Sequence, residues 1–269
     1  RNLTVNGTNV LYTTDLDLRG PIVDAAGNEY KINDIYLYGI VTDKQDPFAG
    51  FALWVGETEG NWSDDASWST GHAPRAGESV FLLSGNTLTM DASTPRLSEV
   101  VIGGTVLLKG WDTVFAADKV VVQNMAKITC DPCTTTTEPS NRVVIACGDL
   151  VVEKGGEIDA KAKGYKAYAG PGASSCKSAG ASHAGHGGYP YMEGAKTAAN
   201  RTIYGDTEWP DSIGSGGHGR NGGGVIRIDA TGTVTVDGTV TAAGGDSSDF
   251  KVYNSGGNAD GAGAGGSVL

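Results

Sequence analysis

Four cysteines lie close together in the middle of the sequence and could form covalent bonds. They fall within 47 residues and are Cys130, Cys133, Cys147 and Cys176. An even number of clustered cysteines predicts two disulfides formed in an oxidising compartment. We expect Cys130 to pair with Cys133, and Cys147 to pair with Cys176 so that a long loop is tied to the body of the protein. The two other connectivities stay open, because spacing does not distinguish them.

The Cys-x-x-Cys spacing at 130–133 also occurs in metal and redox sites. A zinc site would require a second pair of cysteines at similar spacing, which Cys147 and Cys176 do not provide. His183 and His186 could join Cys176, but they lie in a Gly-, Ser- and Ala-rich stretch where histidine is most often solvated. We therefore expect no metal ion or other cofactor, with a Ca²⁺ site as the alternative for so acidic a chain.

Four Asn-x-Ser/Thr motifs mark acceptors for N-glycosylation, at Asn2, Asn6, Asn61 and Asn200. Glycosylation requires passage through the secretory route, which agrees with paired cysteines. The motifs and the cysteines together predict an extracellular or cell-surface protein.

Tryptophans form a second group that could bind a ligand, and three of them, Trp62, Trp68 and Trp111, are candidates for stacking on sugar rings. The alternative is that these indoles, with Trp54, bury apolar area at an end of the fold. We favour packing over sugar binding for the group.

Acid and base groups that could cleave a polysaccharide are present, but no pattern in the sequence places them together in one groove. The candidates are Asp159, Lys161, Arg227, Asp229 and Asp237. Outward-facing charges are normally solvated. The sequence also lacks nucleophile-elbow, zinc-protease and phosphate-loop motifs. We expect that the protein is not an enzyme.

The elements that must position these residues form a repeat. One series of apolar strand triplets begins at Val80, Val100, Val120, Val143 and Ile226, with the first three spacings 20, 20 and 23 residues. A second series follows at Leu88, Val106, Ile128, Leu150 and Val234. The middle residue of each triplet can face outward, as the two-residue period of a strand requires. Repeats of this length predict an all-β parallel β-helix, or β-solenoid.

The predicted organisation has four parts. Residues 1–58 form an N-terminal β cap with strands at 10–12 and 35–41, and residues 59–163 form the first coils. Residues 164–224 leave the ladder as a long insertion rich in Gly and Tyr, where glycine allows close backbone packing. Residues 225–269 form further coils. The 42 glycines among 269 residues fit such tight packing.

The net charge and the chain ends indicate which kinds of partner to expect. The net charge of −11 disfavours nucleic acid and anionic membrane surfaces as partners, and no apolar run is long enough for membrane insertion. Arg1 in place of Met indicates a processed or truncated piece. Residues 265–269 repeat residues 223–227 and stop inside a strand. We expect this strand to be covered by continuation of the same polypeptide or by self-assembly.

Several short stretches together resemble a known family. They are residues 61–68, 72–80, 86–91, 95–97, 101–106 and 119–122, and they resemble the G8 domain over residues 60–130. The resemblance implies an extracellular β-helix module, found both in hyaluronan-degrading proteins and in large cell-surface proteins without known catalysis. The glycine-rich stretches at 204–228 and 236–268 are similar to repeats in protist surface proteins, including mastigoneme-type appendages, and in adhesins.

These observations predict a structural protein, a secreted β-helix segment of a larger extracellular filament, appendage or coat. The alternatives are a polysaccharide-active or glycan-binding module with a hyaluronan-type substrate, or an adhesin. The expected partners are further copies or further coils of the same polypeptide, with a glycan as the second kind.

Overall fold

The computed structural model describes residues 4–5, 22–24, 29–30, 48–174, 179–188, 202–246 and 261–269. The chain divides into two compact units, Arg1–Phe51 and Ala52–Leu269. In the first unit, β1 (Thr4–Val5) runs parallel to β2 (Ile22–Asp24), which runs antiparallel to β3 (Glu29–Tyr30). The strands predicted at 10–12 and 35–41 lie outside the described residues.

The second unit is a parallel β-helix built from two sheets. The larger sheet has the order β17-β14-β12-β10-β8-β6-β4 and the smaller has β16-β13-β11-β9-β7-β5, while β15 also pairs with β12. The strands of the larger sheet are β4 (Phe51–Leu53), β6 (Ser79–Leu82), β8 (Leu97–Ile102), β10 (Phe115–Val122), β12 (Val143–Val152), β14 (Val225–Ala230), β15 (Val234–Val236) and β17 (Ser267–Val268). Those of the smaller are β5 (Glu59–Asn61), β7 (Thr87–Met90), β9 (Thr105–Leu108), β11 (Lys127–Cys130), β13 (Glu157–Asp159) and β16 (Thr239–Thr241). The predicted all-β β-helix is confirmed.

The core consists of columns of apolar side chains, one from each coil. In the smaller sheet, Leu88, Val106, Ile128 and Ile158 pair in register from β7 to β13 and are buried. Alternate residues in these strands point outward, so β7 and β9 show an alternation of buried and half-buried positions, while in β11 Thr129 is buried as well. Because every coil adds one residue to the same column, apolar side chains stack directly above one another at the strand spacing of about 4.8 Å.

The strand pairing differs from the two predicted series at one point. Val120 pairs with Leu150, whereas Val143 pairs with Ile226 further along the sheet. Strand β12 is ten residues long and contains both apolar triplets, at 143–145 and 150–152. The second series therefore does not continue through Leu150, and the partners of β11 in the smaller sheet are β9 and β13.

The first coil is covered by tryptophan side chains. The ring of Trp54 occupies the place where a side chain on Gly60 would lie, with Cζ2 2.4 Å from the position of a Cβ atom. Gly60 pairs with Leu88 and so stands at the start of the inward column. Trp68 packs edge-on against both Trp54 and Trp62, with ring centroids 5.4 Å and 5.0 Å away. These indoles close this end of the column.

The described parts of the segment predicted as an insertion pack with residues 261–266 in one layer. We call residues 164–174, 213–224 and 261–266 the glycine layer. Its segments are joined by backbone hydrogen bonds, for example from Gly164 N–H to Gly222 O (2.7 Å) and from Gly223 N–H to Ala264 O (2.8 Å). No strand is assigned in these segments except for an isolated bridge, yet their backbone groups are paired between segments far apart in sequence.

Glycine is required in this layer because the backbones approach closely. A Cβ atom at Gly222 would lie 1.8 Å from Gly214 O, and one at Gly266 would lie 1.8 Å from Gly224 O. Neither residue has a positive φ, so backbone conformation does not explain the choice. The physical reason is the same as at the axis of the collagen triple helix, where only glycine fits between neighbouring backbones.

Candidate functional site

Two of the three predicted sugar-stacking tryptophans are part of the core. Trp62 is 4% exposed and Trp68 is 2% exposed. Trp68 donates its indole Nε1–H to the carbonyl of Trp62 at 2.9 Å, and Trp62 also packs against Phe115. Neither ring presents a face to solvent, so these two residues pack inside the fold, as favoured above, and are not available for sugar stacking. Burial of about 150–250 Å² per aromatic side chain is the physical reason they lie inside.

Trp111 is half-buried and carries a guanidinium group on its face. Arg142 Cζ lies 4.5 Å from the centroid of the Trp111 ring, within the range of a cation–π interaction. Arg142 also donates from Nε to Trp111 O at 2.5 Å and from Nη2 to Asp112 at 3.4 Å. Burial lowers the pKa of Arg142, and the Asp112 carboxylate partly opposes this. The guanidinium covers one face of this indole.

A second arginine–tryptophan pair lies nearby and is more exposed. Trp209 is 55% exposed, and Arg227 Cζ lies 5.7 Å from its ring centroid. The loop carrying Trp209 is held by Asp206, whose Oδ1 accepts hydrogen bonds from the backbone N–H groups of Glu208 and Trp209. These two hydrogen bonds lower the pKa of Asp206. Arg227 donates from Nε to Asp229 at 2.9 Å.

We call Trp111, Arg142, Trp209 and Arg227 the Trp–Arg face. The two arginines lie close enough for Arg227 to lower the pKa of Arg142, and Asp112, Asp211 and Asp229 raise it. The face therefore combines flat apolar rings with donors and acceptors of both charges. Such amphipathic surfaces suit ligands that have both apolar faces and hydroxyl groups.

The cysteines do not pair as predicted within the described residues. Cys130, Cys133 and Cys147 are free and buried. Cys130 lies in the main core cluster, whereas Cys133 packs in a separate cluster with Tyr165, so the expected bond between these two is not formed. Burial raises the pKa of Cys130 to about 12, which makes its thiol unreactive. Because Cys147 is free, its expected bond with Cys176 is not formed either; Cys176 itself lies outside the described residues.

One of the four predicted glycosylation motifs is described. Asn61 is exposed at the end of β5, while Asn2, Asn6 and Asn200 lie outside the described residues. The hydroxyl of Ser63, the third residue of this motif, donates to Asp91. The Asn61 side chain is therefore accessible at the surface, as a glycan acceptor must be.

A groove of about 450 Å³ runs between residues 180–188 and residues 262–266. Its walls are mostly glycine and alanine backbone, together with the predicted pair His183 and His186. His183 is buried, packs on the Tyr204 ring and donates from Nδ1 to Gly265 O at 2.9 Å, while His186 is exposed. In the described ranges, no set of three or more His, Cys, Asp or Glu side chains is placed to hold a metal ion.

The buried imidazole predicts acid sensitivity of this part of the fold. Burial lowers the pKa of His183, and its Nε2 atom has no hydrogen-bond partner among the described residues. The unfolded chain therefore binds a proton more readily than the folded chain, so stability is complete above about pH 6.5 and falls as the pH drops further.

We expect amides in residues 179–188 to exchange faster with solvent at pH 5 than at pH 7, after correction for intrinsic rates. His183→Gln should reduce this pH effect, whereas His186→Gln, at an exposed position, should leave it unchanged. Equal pH effects in the parent and in His183→Gln would contradict the assignment.

The candidate catalytic groups form separate ion pairs on two sheets. Asp159 lies in β13 of the smaller sheet, 3.4 Å from Lys127 Nζ, and Lys161 pairs with Asp246. Arg227 and Asp229 lie in β14 of the larger sheet and pair with each other. Asp237 is exposed after β15. The Lys161–Asp246 pair is largely exposed, whereas the Asp159 side chain is only 19% exposed.

The last coil of the β-helix is left partly uncovered. Val234 pairs with Leu150 and Val236 pairs with Val152, so both continue inward columns of the core. The two valines are nevertheless 46% and 44% exposed, whereas Leu150 and Val152 are fully buried. This edge is a second candidate surface, and we call residues 234–236 with Val240 the open coil.

Comparison with known proteins gives one family. A family model described as the G8 domain matches residues 67–243. This range includes strands β6 to β16 and much of the glycine layer, so the match extends well beyond the resemblance seen at residues 60–130. No curated protein and no solved structure matches the chain. None of the described helical turns is long and apolar enough to span a bilayer.

Three features of these surfaces were missed by sequence reasoning. The pairing of Trp209 with Arg227 joins residues 18 positions apart that no strand pattern connects. The Trp54 ring over Gly60 had a weak signal, since glycine replaced an apolar residue at an inward position. The exposure of Val234 could not be predicted from its apolar side chain. The sequence pattern of a strand is the same whether or not another coil covers it.

Proposed function

Because the chain belongs to the G8 domain family, we propose that it is a structural segment of a larger extracellular assembly such as a filament, an appendage or a coat. The family match covers most of the second unit. The proposal treats the β-helix as a building block whose surfaces contact further copies or further coils. Secretion, glycosylation at Asn61 and a location at the cell surface or beyond are parts of the same proposal.

The observation that carries this proposal is the glycine layer. Its segments meet backbone to backbone, and Gly216, Gly223 and Gly263 would each place a Cβ within 2.0 Å of a neighbouring carbonyl oxygen. In packing of this kind backbone atoms meet directly, with few flexible side chains between them. Such a layer resists deformation, because close-packed interiors have low compressibility. A rigid block suits a load-bearing or space-filling role. Glycine-rich repeats of protist appendages and of adhesins supply the analogy.

Surface charge supports the same role. Outward ion pairs follow the coils, among them Lys119–Glu99 at 2.8 Å and Lys127–Glu157 at 2.8 Å. The acidic net charge of −11 disfavours nucleic acid as a partner and keeps the surface soluble. Further copies or further coils of the same polypeptide are the proposed partners in this role.

A glycan-binding or polysaccharide-active role is the second candidate, and the Trp–Arg face favours it. Trp209 is exposed and fixed in its loop, with Arg227 and Asp229 beside it. Aromatic rings flanked by such groups can accept the apolar face of a sugar and bind its hydroxyls. The substrate would be an extracellular polysaccharide of the hyaluronan type.

Electron microscopy of the native material, combined with antibody labelling of this chain, tests the proposal. We expect the label along regular fibres or a coat, and we expect the purified chain to leave the viscosity of hyaluronan unchanged. A labelled protein that stays dispersed while the viscosity falls would support the second candidate instead. Sedimentation of the chain with intact hyaluronan would favour glycan binding without cleavage.

A further inference from the structure

The loop between β11 and β12 carries four consecutive threonines. It runs from residue 131 to residue 142, has the sequence Thr-Thr-Thr-Thr-Glu-Pro-Ser at 134–140, and is called the threonine loop below. All four threonines are exposed. Pro132 and Pro139 lie on either side of them. A stretch rich in Ser and Thr that also contains proline is typical of O-glycosylated segments.

The base of the threonine loop is fixed to the β-helix. Asn141 is 7% exposed, and its Nδ2 donates to Pro132 O at 3.1 Å while its Oδ1 accepts from the Gly110 N–H at 2.8 Å. The Tyr165 hydroxyl donates to Thr137 O at 3.2 Å. These hydrogen bonds hold the backbone of the loop, while the threonine side chains stay exposed to solvent.

The four threonine hydroxyls differ in their contacts. Thr134 Oγ1 donates to another hydroxyl of the loop at 3.4 Å. Thr135 Oγ1 donates to Glu138 O and accepts from the Glu138 N–H at 3.1 Å. The hydroxyls of Thr136 and Thr137 make no hydrogen bond to any part of the chain that the structure describes. These two hydroxyls can therefore be modified without loss of a contact within the loop.

The charge of the loop favours a sugar over a phosphate as the modifying group. Residues 128–141 contain no Lys, Arg or His, but they contain Asp131 and Glu138. A phosphate would add negative charge beside these carboxylates, and the loop offers no basic side chain to receive it. Arg142, at the end of the loop, donates to Trp111 O and covers the ring of that residue instead. An uncharged sugar meets no such repulsion.

We propose that the Thr136–Thr137 pair carries O-linked glycans. The proposal rests on the secretion that is part of the function proposed above, and it adds a modification that the Asn-x-Ser/Thr motifs do not specify. In the transfer, threonine Oγ1 attacks the anomeric carbon of a nucleotide sugar held by a glycosyltransferase. A carbon–oxygen bond forms as the bond from that carbon to the phosphate breaks. The nucleoside diphosphate leaves, and the hydroxyl proton passes to a base of the transferase.

Mass spectrometry of the native protein, captured with an antibody against this chain, tests the modification. Trypsin releases residues 128–142 as one peptide, because Lys127 precedes it and Arg142 ends it. We expect this peptide to carry hexose or N-acetylhexosamine at one or both of Thr136 and Thr137. Electron-transfer fragmentation locates the sugar, since it cleaves the backbone and leaves the glycan attached.

Two other threonines are internal controls. Thr129 lies in the same peptide, is 8% exposed and donates from Oγ1 to Asp159 O at 2.7 Å. Thr58 is exposed, but no proline or other threonine lies within three residues of it. We expect both to be unmodified. Sugar at Thr58 or Thr129 with the same occupancy as at Thr136 would show that neither exposure nor the composition of the loop selects the site, and overturns the proposal.

Two double variants separate the hydroxyls from the loop itself. They are compared in cells that secrete the glycosylated parent chain. Thr136→Ala with Thr137→Ala should abolish the sugar on this peptide, whereas Thr136→Ser with Thr137→Ser keeps both hydroxyls and should retain it. Both variants should give the circular dichroism spectrum of the parent, because the two side chains make no hydrogen bond in the described ranges. Sugar that persists on the alanine variant overturns the assignment to this pair.

The same peptide map separates this proposal from the proposed function. Trypsin also releases residues 45–75, which contain Asn61 and report passage through the secretory route independently. An N-glycan at Asn61 with a bare or phosphorylated threonine loop overturns the O-glycans and leaves secretion in place. A protein bare at both places and retained inside the cell overturns both. O-glycans on a chain that is absent from native fibres or a coat confirm the modification and overturn the structural role.

Discussion

Replacement of Gly266 by alanine is expected to destabilise the protein by about 3 kcal/mol. A Cβ atom at this position would lie 1.8 Å from Gly224 O and 2.7 Å from Gly223 O, and both contacts are with backbone rather than with a flexible side chain. The backbone of Gly266 also donates to Ala242 O at 2.7 Å, so the segment cannot shift without losing a hydrogen bond. Urea unfolding measured by circular dichroism would give the free energy of unfolding.

Gly265→Ala is the control for this experiment. No atom lies within 4 Å of a Cβ at Gly265, and its φ is not positive. We expect a change in the free energy of unfolding within about 0.5 kcal/mol, with either sign, since alanine also restricts the unfolded chain. Equal destabilisation by the two neighbouring substitutions would show that the glycine layer does not depend on backbone contact.

Replacement of Trp68 by alanine is expected to cost about 3–5 kcal/mol. The indole is 2% exposed, it packs edge-on against two other tryptophans, and its Nε1–H donates to Trp62 O. Removing it would leave a large cavity at the closed end of the columns and an unpaired carbonyl. Thermal and urea unfolding of the variant would measure the loss.

Trp209→Ala is the matched substitution at the surface. This indole is 55% exposed, and its main described ring contact is Arg227 at 5.7 Å. We expect a loss of less than about 1 kcal/mol, because exposed cation–π contacts contribute about 0.5–1 kcal/mol. If Trp209→Ala proved as destabilising as Trp68→Ala, the distinction between a core tryptophan and a surface tryptophan would fail.

Much of the β-helix could be predicted from strand triplets. The inward residues at Val80, Val100 and Val120 recur at a constant spacing, and a two-residue period leaves one face apolar in each strand. Backbone pairing then places equivalent residues of successive coils next to each other. Local pattern and global fold agree over these coils, which is why periodicity was sufficient there.

The pairing of strands was ambiguous at β12, which is longer than the other strands. Strand β12 carries two apolar triplets, and either one could have continued the column of Val120. The structure selects Leu150 for this column and pairs Val143 with Ile226 of β14. The two triplets begin seven residues apart, and both are buried because the alternation of inward and outward side chains changes phase at Gly148 and Asp149.

The candidate sites were less predictable than the fold. Tryptophan content marked Trp62 and Trp68 as candidates for sugar binding and did not single out Trp209, although the first two are buried and Trp209 is exposed. Exposure depends on which segments pack over a side chain. Composition contains no such information, and the same holds for Cys130 and Cys133, which lie in different clusters despite their short spacing.

For this protein, the sequence by itself determined the parallel β-helix, its inward columns and the need for close backbone approach in a glycine-rich segment. These features depend on residues near one another in the chain or on a regular repeat. Only the tertiary structure decided which glycines face a neighbouring backbone, that the Trp–Arg face joins segments distant in sequence, and that Val234 and Val236 are more exposed than the residues they pair with. Those features depend on contacts between segments far apart in sequence, whose partners no local pattern specifies.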